Sequence, residues 1–312
     1  MKNQFFKAIK NIFSKKLSEL GKIENVIWQT TAGLNTEFEL QYIKDYLLKD
    51  IEYNAVFDYS KYLTILNNSL IVFSNDSPQI PNEFRQYLKK YDNLGYNYWL
   101  LHLSNEKRAH KHNFNYYKNA NHVFRAYYDP RILLKNLTTI PIGFKSGFLN
   151  TENCLPSVFE RTYVWTFIGQ LKSDRQQMYN ALVSITPQYT TVTNQWNAPE
   201  HSVNQIIEVY KKTIFIPCPM GSSNPDSFRI NEALEWGCIP IVKKFNNEDY
   251  FKYVYGKHPF IIVDSWPEAN AIIKNMLTDM PKLEAFRQQI WAWYKNYKQT
   301  LQSRIKTILL AG

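Results

Sequence analysis

The stretch that decides the fold is IFIPCPMGSSNPDSFRINEALEWGCI, residues 214–239. It opens as an apolar strand, passes through a loop of Pro, Gly, Ser and Asn, and then reads as a short helix beginning near Ser227. Gly237 ends that helix and leads into a second apolar run, Ile239 to Val242. The pattern predicts a βαβ-type unit. A helix start presents unpaired backbone N–H groups and a partial positive charge, and here Ser227 and Arg229 add a hydroxyl and a guanidinium. Such an end suits a diphosphate.

Glu232 follows Arg229 by three residues, so both lie on one helix face with Glu232 about one turn deeper. A carboxylate there can accept both hydroxyls of a ribose whose phosphates rest on the helix start. The constellation predicts a nucleoside diphosphate site. The competing reading is an ordinary surface helix in which Arg229 and Glu232 pair at i,i+3 for a few tenths of a kcal/mol.

Taken in order, Pro217-x-Pro219-x-Gly221, Ser227-x-Arg229, Glu232-Ala233-Leu234 and Gly237-Cys238-Ile239-Pro240 resemble the donor-binding signature of exostosin-type glycosyltransferases. Upstream, Trp165-x-Phe167-x-Gly169 followed by Arg175 is similar to that family's strand, glycine turn and arginine at the start of its nucleotide-binding domain. The resemblance spans residues 120 to 245. It implies an α/β fold of two Rossmann-like domains facing a cleft (GT-B), with a C-terminal helix returning to the N-terminal domain. It also implies transfer of a sugar from a nucleotide sugar, expected to be UDP-linked, to a glycan or lipid-linked acceptor in surface polysaccharide synthesis, such as capsule or lipopolysaccharide. On that resemblance Gly169, Arg175, Pro219, Gly221, Ser227, Arg229 and Glu232 are the donor-binding residues.

With 312 residues the chain has room for two domains. The excess of Lys and Arg over Asp and Glu, 37 − 27 = 10, favours phosphorylated ligands, polyanions or anionic membrane surfaces. Nucleic acid is not expected as a partner, because the basic residues form scattered doublets without a zinc-finger or RNA-binding motif. A non-catalytic protein that uses this charge to bind polyanions is the alternative. The three cysteines, Cys154, Cys218 and Cys238, contain no CxxC pair, which fits a reducing, cytoplasmic setting. No apolar run of about 20 residues is present, so no membrane span is expected.

Residues 1–21 read as a basic amphipathic helix with Phe6, Ile9, Phe13, Leu17 and Leu20 on one stripe. It either lies on the inner face of a membrane, as a peripheral contact, or packs on the protein body. Residues 22–143 alternate short apolar strands with helical patterns and form the expected N-terminal acceptor domain. The polar stretch 144–162 reads as a linker, 163–281 as the nucleotide-sugar domain ending at Pro281, and 282–312 as one long helix. Strands are expected at Tyr163 to Ile168, Thr213 to Ile216, Ile239 to Val242 and Phe260 to Val263.

Arg175, at the start of the helix after Gly169, can fork onto phosphoryl oxygens and join Arg229 in neutralising the leaving diphosphate. No cofactor beyond the sugar donor and no metal are expected, since the chain has no Asp-x-Asp pair. His110 and His112 are flanked by lysine and are not read as ligands. Retaining enzymes of this architecture often carry a Glu eight residues before the ribose-binding Glu; here that position is Asn224, which favours inversion, with retention as the alternative. Inversion needs a base, and the candidates are Glu106, Asp76 and His102, with Glu106 preferred. His102 lies within a strand, where a core histidine is the competing reading. Arg125 and Tyr127 are further candidates for donor or acceptor contact, and Tyr210 and Pro217 for the border of the base.

Overall fold

In the computed structural model the described residues are 22–29, 36–74, 82–103, 114–152, 154–193, 201–221 and 223–311. The expected N-terminal helix, Asp76, Glu106, His110 and His112 lie outside them. The chain divides into two compact units: Met1–Thr36, Tyr46–Ile140 and Thr300–Gly312 form the first, and Glu37–Asp45 with Pro141–Gln299 form the second.

The first unit is built on six parallel strands, β1 (Asn25–Gln29), β2 (Asn54–Asp58), β3 (Ser69–Ser74), β4 (Tyr98–Leu103), β5 (His122–Ala126) and β6 (Leu137–Ile140), in the order β2-β1-β3-β4-β5-β6. Helix α1 (Thr36–Gln41) follows β1 in the chain but from Glu37 on belongs to the second unit, and α2 (Asn82–Leu94) follows β3 in the first. All six residues of β3 and of β4 are buried, the pattern of a parallel strand covered on both faces. On α2, Phe84, Tyr87, Leu88 and Tyr91 recur at steps of three, one and three, placing one helical stripe against Ile27, Ile71 and Leu100. The tyrosines bury their rings and still satisfy their hydroxyls, as Tyr87 Oη does by donating to Thr64 O at 2.7 Å.

The abundant asparagines close the amino edge of this sheet. Asn54 Nδ2 donates to Asn25 Oδ1 (3.4 Å), Asn97 N to Asn67 Oδ1 (2.8 Å), Asn97 Nδ2 to Asn68 Oδ1 (3.2 Å) and Asn121 Nδ2 to Asn97 Oδ1 (3.2 Å). Each sits at or just before the first residue of a strand, so short amides tie neighbouring loops across the edge.

The second unit has five parallel strands in the order β11-β10-β9-β7-β8. In chain order its elements are β7 (Tyr163–Gly169), α3 (Asp174–Leu182), β8 (Gln188–Val192), α4 (Val203–Lys211), β9 (Thr213–Pro217), α5 (Phe228–Glu235), β10 (Ile239–Lys243), α6 (Lys252–Tyr255), β11 (Ile261–Val263), α7 (Trp266–Met276) and α8 (Met280–Leu310). Strand β8 is absent from the sequence reading. Its residues, QYTTV, are half-buried on an edge and form no apolar run. Pro281 sits within the first turn of α8, where its missing N–H is one the helix leaves unpaired anyway. The helix therefore starts at Met280, and the break lies at residues 277–279. Its last turns belong to the first unit, where Ile23 N donates to Leu309 O at 3.0 Å and Gln302 Nε2 to Tyr46 O at 3.1 Å.

The described residues of 144–162, expected as a linker, are irregular apart from a 3₁₀ turn at Val158–Glu160, and the stretch falls in the second unit. They are anchored, since Phe144, Phe148 and Val158 are buried. Arg161 ends the segment inside the protein, donating to the carbonyls of Pro156, Tyr210, Thr213 and Trp236. No described helix is long and apolar enough to cross a membrane.

Candidate functional site

In the second sheet, β8 lies on one side of β7 and β9 on the other, so the winding reverses at β7. The carboxyl end of a strand at such a reversal is where open parallel sheets hold ligands. Strand β7 ends there at Gly169, whose φ of +149° is strained for any other residue. A Cβ on Gly169 would lie 3.3 Å from Arg229 Nη2, so the bare backbone lets the guanidinium approach. Helix α3 starts just beyond, with Ser173 at φ 48° as its N-cap and no side-chain cap bond.

Strand β9 delivers the loop 218–227 and then α5. Asn224 is fully buried and shapes that loop: its Oδ1 accepts from Asp226 N at 3.2 Å and its carbonyl from Gly221 N at 2.8 Å. Asp226 Oδ2 accepts from Ile142 N at 3.1 Å. Ser227 is the N-cap of α5 with extended backbone, φ −143° and ψ 153°, yet its side chain makes no cap bond. Its Oγ is sequestered and has no hydrogen-bond partner among the described residues. A hydroxyl at a helix start with nothing to bind is unusual, because caps normally satisfy one of the free N–H groups.

Arg229 folds back over β7. Its Nη2 donates to Ile168 O at 3.0 Å and its guanidinium lies 4.8 Å from the centre of the Phe167 ring. Glu232, half-buried one turn along, accepts from the backbone N–H of Lys145. Burial raises its pKa from 4.5 to about 7, against the opposing pull of Arg229 and the Lys145 contacts. Arg229 and Glu232 thus bond to different backbone groups, and the i,i+3 pair of an ordinary surface helix is not formed. The arrangement offers a helix terminus, a hydroxyl and a guanidinium to an anion, with a carboxylate behind them.

The other expected residues divide. Arg175 is half-exposed at the first turn of α3, and its Nε donates to Met220 O at 3.3 Å, so part of its fork is committed to the loop. Pro219 is buried and Gly221 uses its N–H inside the loop, so both act as loop formers. Tyr210 and Pro217 are buried in the second unit, Tyr210 with its hydroxyl pKa pushed up by burial.

His102 does not serve as an accessible base. It is fully buried, stacks on Phe73 at 4.3 Å, and its Nδ1 lies 3.0 Å from Arg125 Nη1 and within hydrogen-bond reach of Tyr117 Oη. An arginine only donates, so Nδ1 is an acceptor there and the ring is held in one tautomer. Arg125, 1% exposed, also donates to Tyr117 Oη at 2.8 Å, and Tyr127 is buried. Both are candidates for ligand contact on the sequence, and both are buried in the structure.

Asp174 is a buried acid beside this site that the sequence does not single out. Its buried carboxylate accepts from Met220 N at 3.2 Å and Trp266 Nε1 at 2.9 Å and pairs with Lys243 Nζ. The only local signal was an acid in the first turn of a helix, which is common. Among the described residues no group of three His, Cys, Asp or Glu side chains is placed to hold a metal ion.

Over more than nine-tenths of its length the chain resembles solved structures. A crystal structure of an alpha1,3-fucosyltransferase aligns with a TM-score of 0.54 over 94% of this chain and 91% of that one, at 14% identity. Anabaena HepE in complex with UDP and glucose aligns at 0.56 over 92% and 99%, at 12% identity. T4 phage BGT in complex with UDP and Mn2+ aligns at 0.51 over 91% and 99%, at 10% identity. Likeness at this level shows the fold: two parallel-sheet α/β units of the GT-B class. No curated protein sequence matches the chain. The family model of the RXYLT1 C-terminal domain matches residues 146–311, more than half of the sequence, and the chain belongs to that glycosyltransferase-related family.

Proposed function

We propose that this chain is a glycosyltransferase whose second unit binds a nucleoside-diphosphate sugar at the carboxyl end of β7 and the start of α5. The observation that carries this reading is Ser227, an N-cap hydroxyl without a partner beside Arg229, with Glu232 one turn behind. UDP is the proposed nucleotide, supported by the UDP held in the structures of HepE and BGT. The narrower exostosin-type assignment is part of the same proposal.

In the proposed reaction an acceptor hydroxyl attacks the anomeric carbon as the bond to the diphosphate breaks. Negative charge grows on the leaving group, and Arg229, Arg175 and the two helix starts are positioned to stabilise it. Glu232 fixes the ribose. Inversion is proposed because the position where a retaining enzyme would carry Glu holds Asn224, which is occupied in shaping the loop. Glu106 is the proposed base, with Asp76 as second choice. The proposed acceptor is a glycan or lipid-linked glycan handled at the cytoplasmic face of a membrane.

Calorimetric titration with UDP tests the donor site directly. Wild-type protein should bind, and Arg229→Ala and Glu232→Ala should each weaken binding; wild-type protein indifferent to every nucleoside diphosphate sinks the reading. NMR of the product's anomeric configuration decides inversion. Transfer should persist in EDTA, with Arg175 and Arg229 taking the task of a cation in this proposal; loss of activity restored by Mn2+ would assign that task to a metal. Glu106→Gln should abolish transfer while sparing UDP binding.

A further inference from the structure

Asp174 is an acidic residue in a helix first turn, which alone is ordinary. Its surroundings are not. The residue is 7% exposed, and its carboxylate receives one cation and two N–H groups from elements far apart in sequence. Oδ2 accepts from Met220 N in the loop after β9. Oδ1 accepts from Trp266 Nε1 at the start of α7 and pairs with Lys243 at the end of β10. The next residue, Arg175, donates to Met220 O, so neighbouring residues of one helix start grip Met220 through both its N–H and its carbonyl.

That grip has a consequence for the site. Gly169 ends β7 and Arg175 belongs to the helix that follows it, whereas Ser227, Arg229 and Glu232 belong to the loop and helix that follow β9. Two helix starts can hold one diphosphate only if their separation is fixed to a fraction of an ångström. The contacts of Asp174 and Arg175 with Met220 bridge the two segments, beside the bond of Arg229 to Ile168 O, and Asp174 extends the tie to β10 and α7. Buried carboxylates are costly unless paired and hydrogen-bonded, and this one is both.

We propose that Asp174 is the positioning residue of the donor site: it locks the loop before α5 to the start of α3 and thereby sets the spacing of the two termini that receive the diphosphate. Lys243 is the second half of the lock. This rests on the donor-site reading above, and the test separates the two.

UDP affinity by calorimetry is measured beside thermal stability for wild type, Asp174→Asn, Asp174→Glu, Lys243→Met and the double variant Asp174→Asn/Lys243→Met. Glu284→Gln serves as a control, since Glu284 binds Arg287 and Val158 N away from the loop. Asp174→Asn should weaken UDP binding at least tenfold and Lys243→Met severalfold. The double variant should be no weaker than Asp174→Asn, because the two share one function. Asp174→Glu, which keeps the charge, should recover part of the affinity. Glu284→Gln should lower the melting temperature while leaving UDP affinity within twofold. Asp174→Asn that loses stability like the control but binds UDP like wild type overturns the proposal. Should Asp174→Asn fail to fold, Lys243→Met decides, and unchanged UDP affinity there overturns it. Wild-type protein that binds no UDP removes the donor site itself, and this proposal with it.

Discussion

Both sheets reverse their winding, the first at β1 and the second at β7, and the two carboxyl edges group their polar side chains differently. In the first unit Gln29, the last residue of β1, donates to Asp58 Oδ2 at 3.1 Å and accepts from Tyr62 N at 3.0 Å. Asp58 Oδ2 also accepts from Leu63 N and Thr64 N, both at 3.0 Å, so the end of β2 is spent on its own loop. Arg125, His102 and Tyr117 likewise close on one another. In the second unit Ser227 has no partner, Arg229 leans on a carbonyl and a ring, and Glu232 is held at a raised pKa. Parallel sheets offer the same backbone edge everywhere. Ser74 Oγ, at the end of β3, is likewise without a bond, so what distinguishes the candidate site is the grouping of Ser227 with Arg229 and Glu232 at one helix start.

The largest effects should come from the two arginines that embody this contrast. Arg125→Ala leaves a cavity and disrupts a buried network, which should cost about 3 kcal/mol of stability while UDP affinity stays unchanged. Arg229→Ala should do the reverse: about 1 kcal/mol or less of stability, and UDP binding weaker by roughly a hundredfold, or ~2.7 kcal/mol. Denaturant unfolding and calorimetry on both variants measure all four quantities. A large stability loss with intact binding in Arg229→Ala would erase the distinction.

Glu232 extends the contrast to pH. Its pKa is raised from 4.5 to about 7, so the folded protein holds this proton more tightly than the unfolded chain. The stability it contributes is fully present below its unfolded value and is lost as pH rises through about 7. Ribose hydroxyls need the carboxylate, so binding should move the opposite way. UDP affinity should rise about tenfold between pH 6 and pH 8, the change expected for one group titrating near 7. Glu232→Gln should flatten both profiles, read by melting temperature and by calorimetry.

How much of this was legible in the sequence follows from the range of the interactions. Arg229 and Glu232 could be read because helical spacing puts them on one face, Ser227 because it stands at the helix start, and β3, β4, β9 and β10 because continuous apolar runs mark strands buried on both faces. Strand β8 could not, since an edge strand of Gln, Tyr and Thr carries no such run. Asp174 was hidden because its partners Met220, Lys243 and Trp266 lie 46, 69 and 92 residues away. His102 and Arg125 misled for a related reason. On central strands both faces are covered, so position along the strand does not reveal whether a polar side chain reaches a ligand or another core residue.

A smaller effect is expected at Gly169. Alanine there must adopt φ +149° and place its Cβ 3.3 Å from Arg229 Nη2, the movable end of a side chain. Stability should fall by about 1–2 kcal/mol from backbone strain, and UDP affinity by about tenfold as the guanidinium is displaced. An unchanged affinity would mean that Arg229 does not reach the ligand from its resting place over Phe167.

The smallest effect is the sharpest test, because it compares two serines with the same local role. Ser202 caps α4 in the ordinary way, with Oγ accepting from Gln205 N at 3.3 Å and Gln205 Oε1 accepting from Ser202 N at 2.8 Å. Ser202→Ala should cost about 1 kcal/mol of stability and leave UDP binding alone. Ser227 caps α5 by position only, with its hydroxyl making no bond. Ser227→Ala should therefore change stability by less than about 0.5 kcal/mol while weakening UDP five- to tenfold, about 1–1.4 kcal/mol for one lost hydrogen bond. If Ser227→Ala instead destabilised like Ser202→Ala and kept full affinity, its hydroxyl would be a cap in solution, and the start of α5 would have no group reserved for the diphosphate.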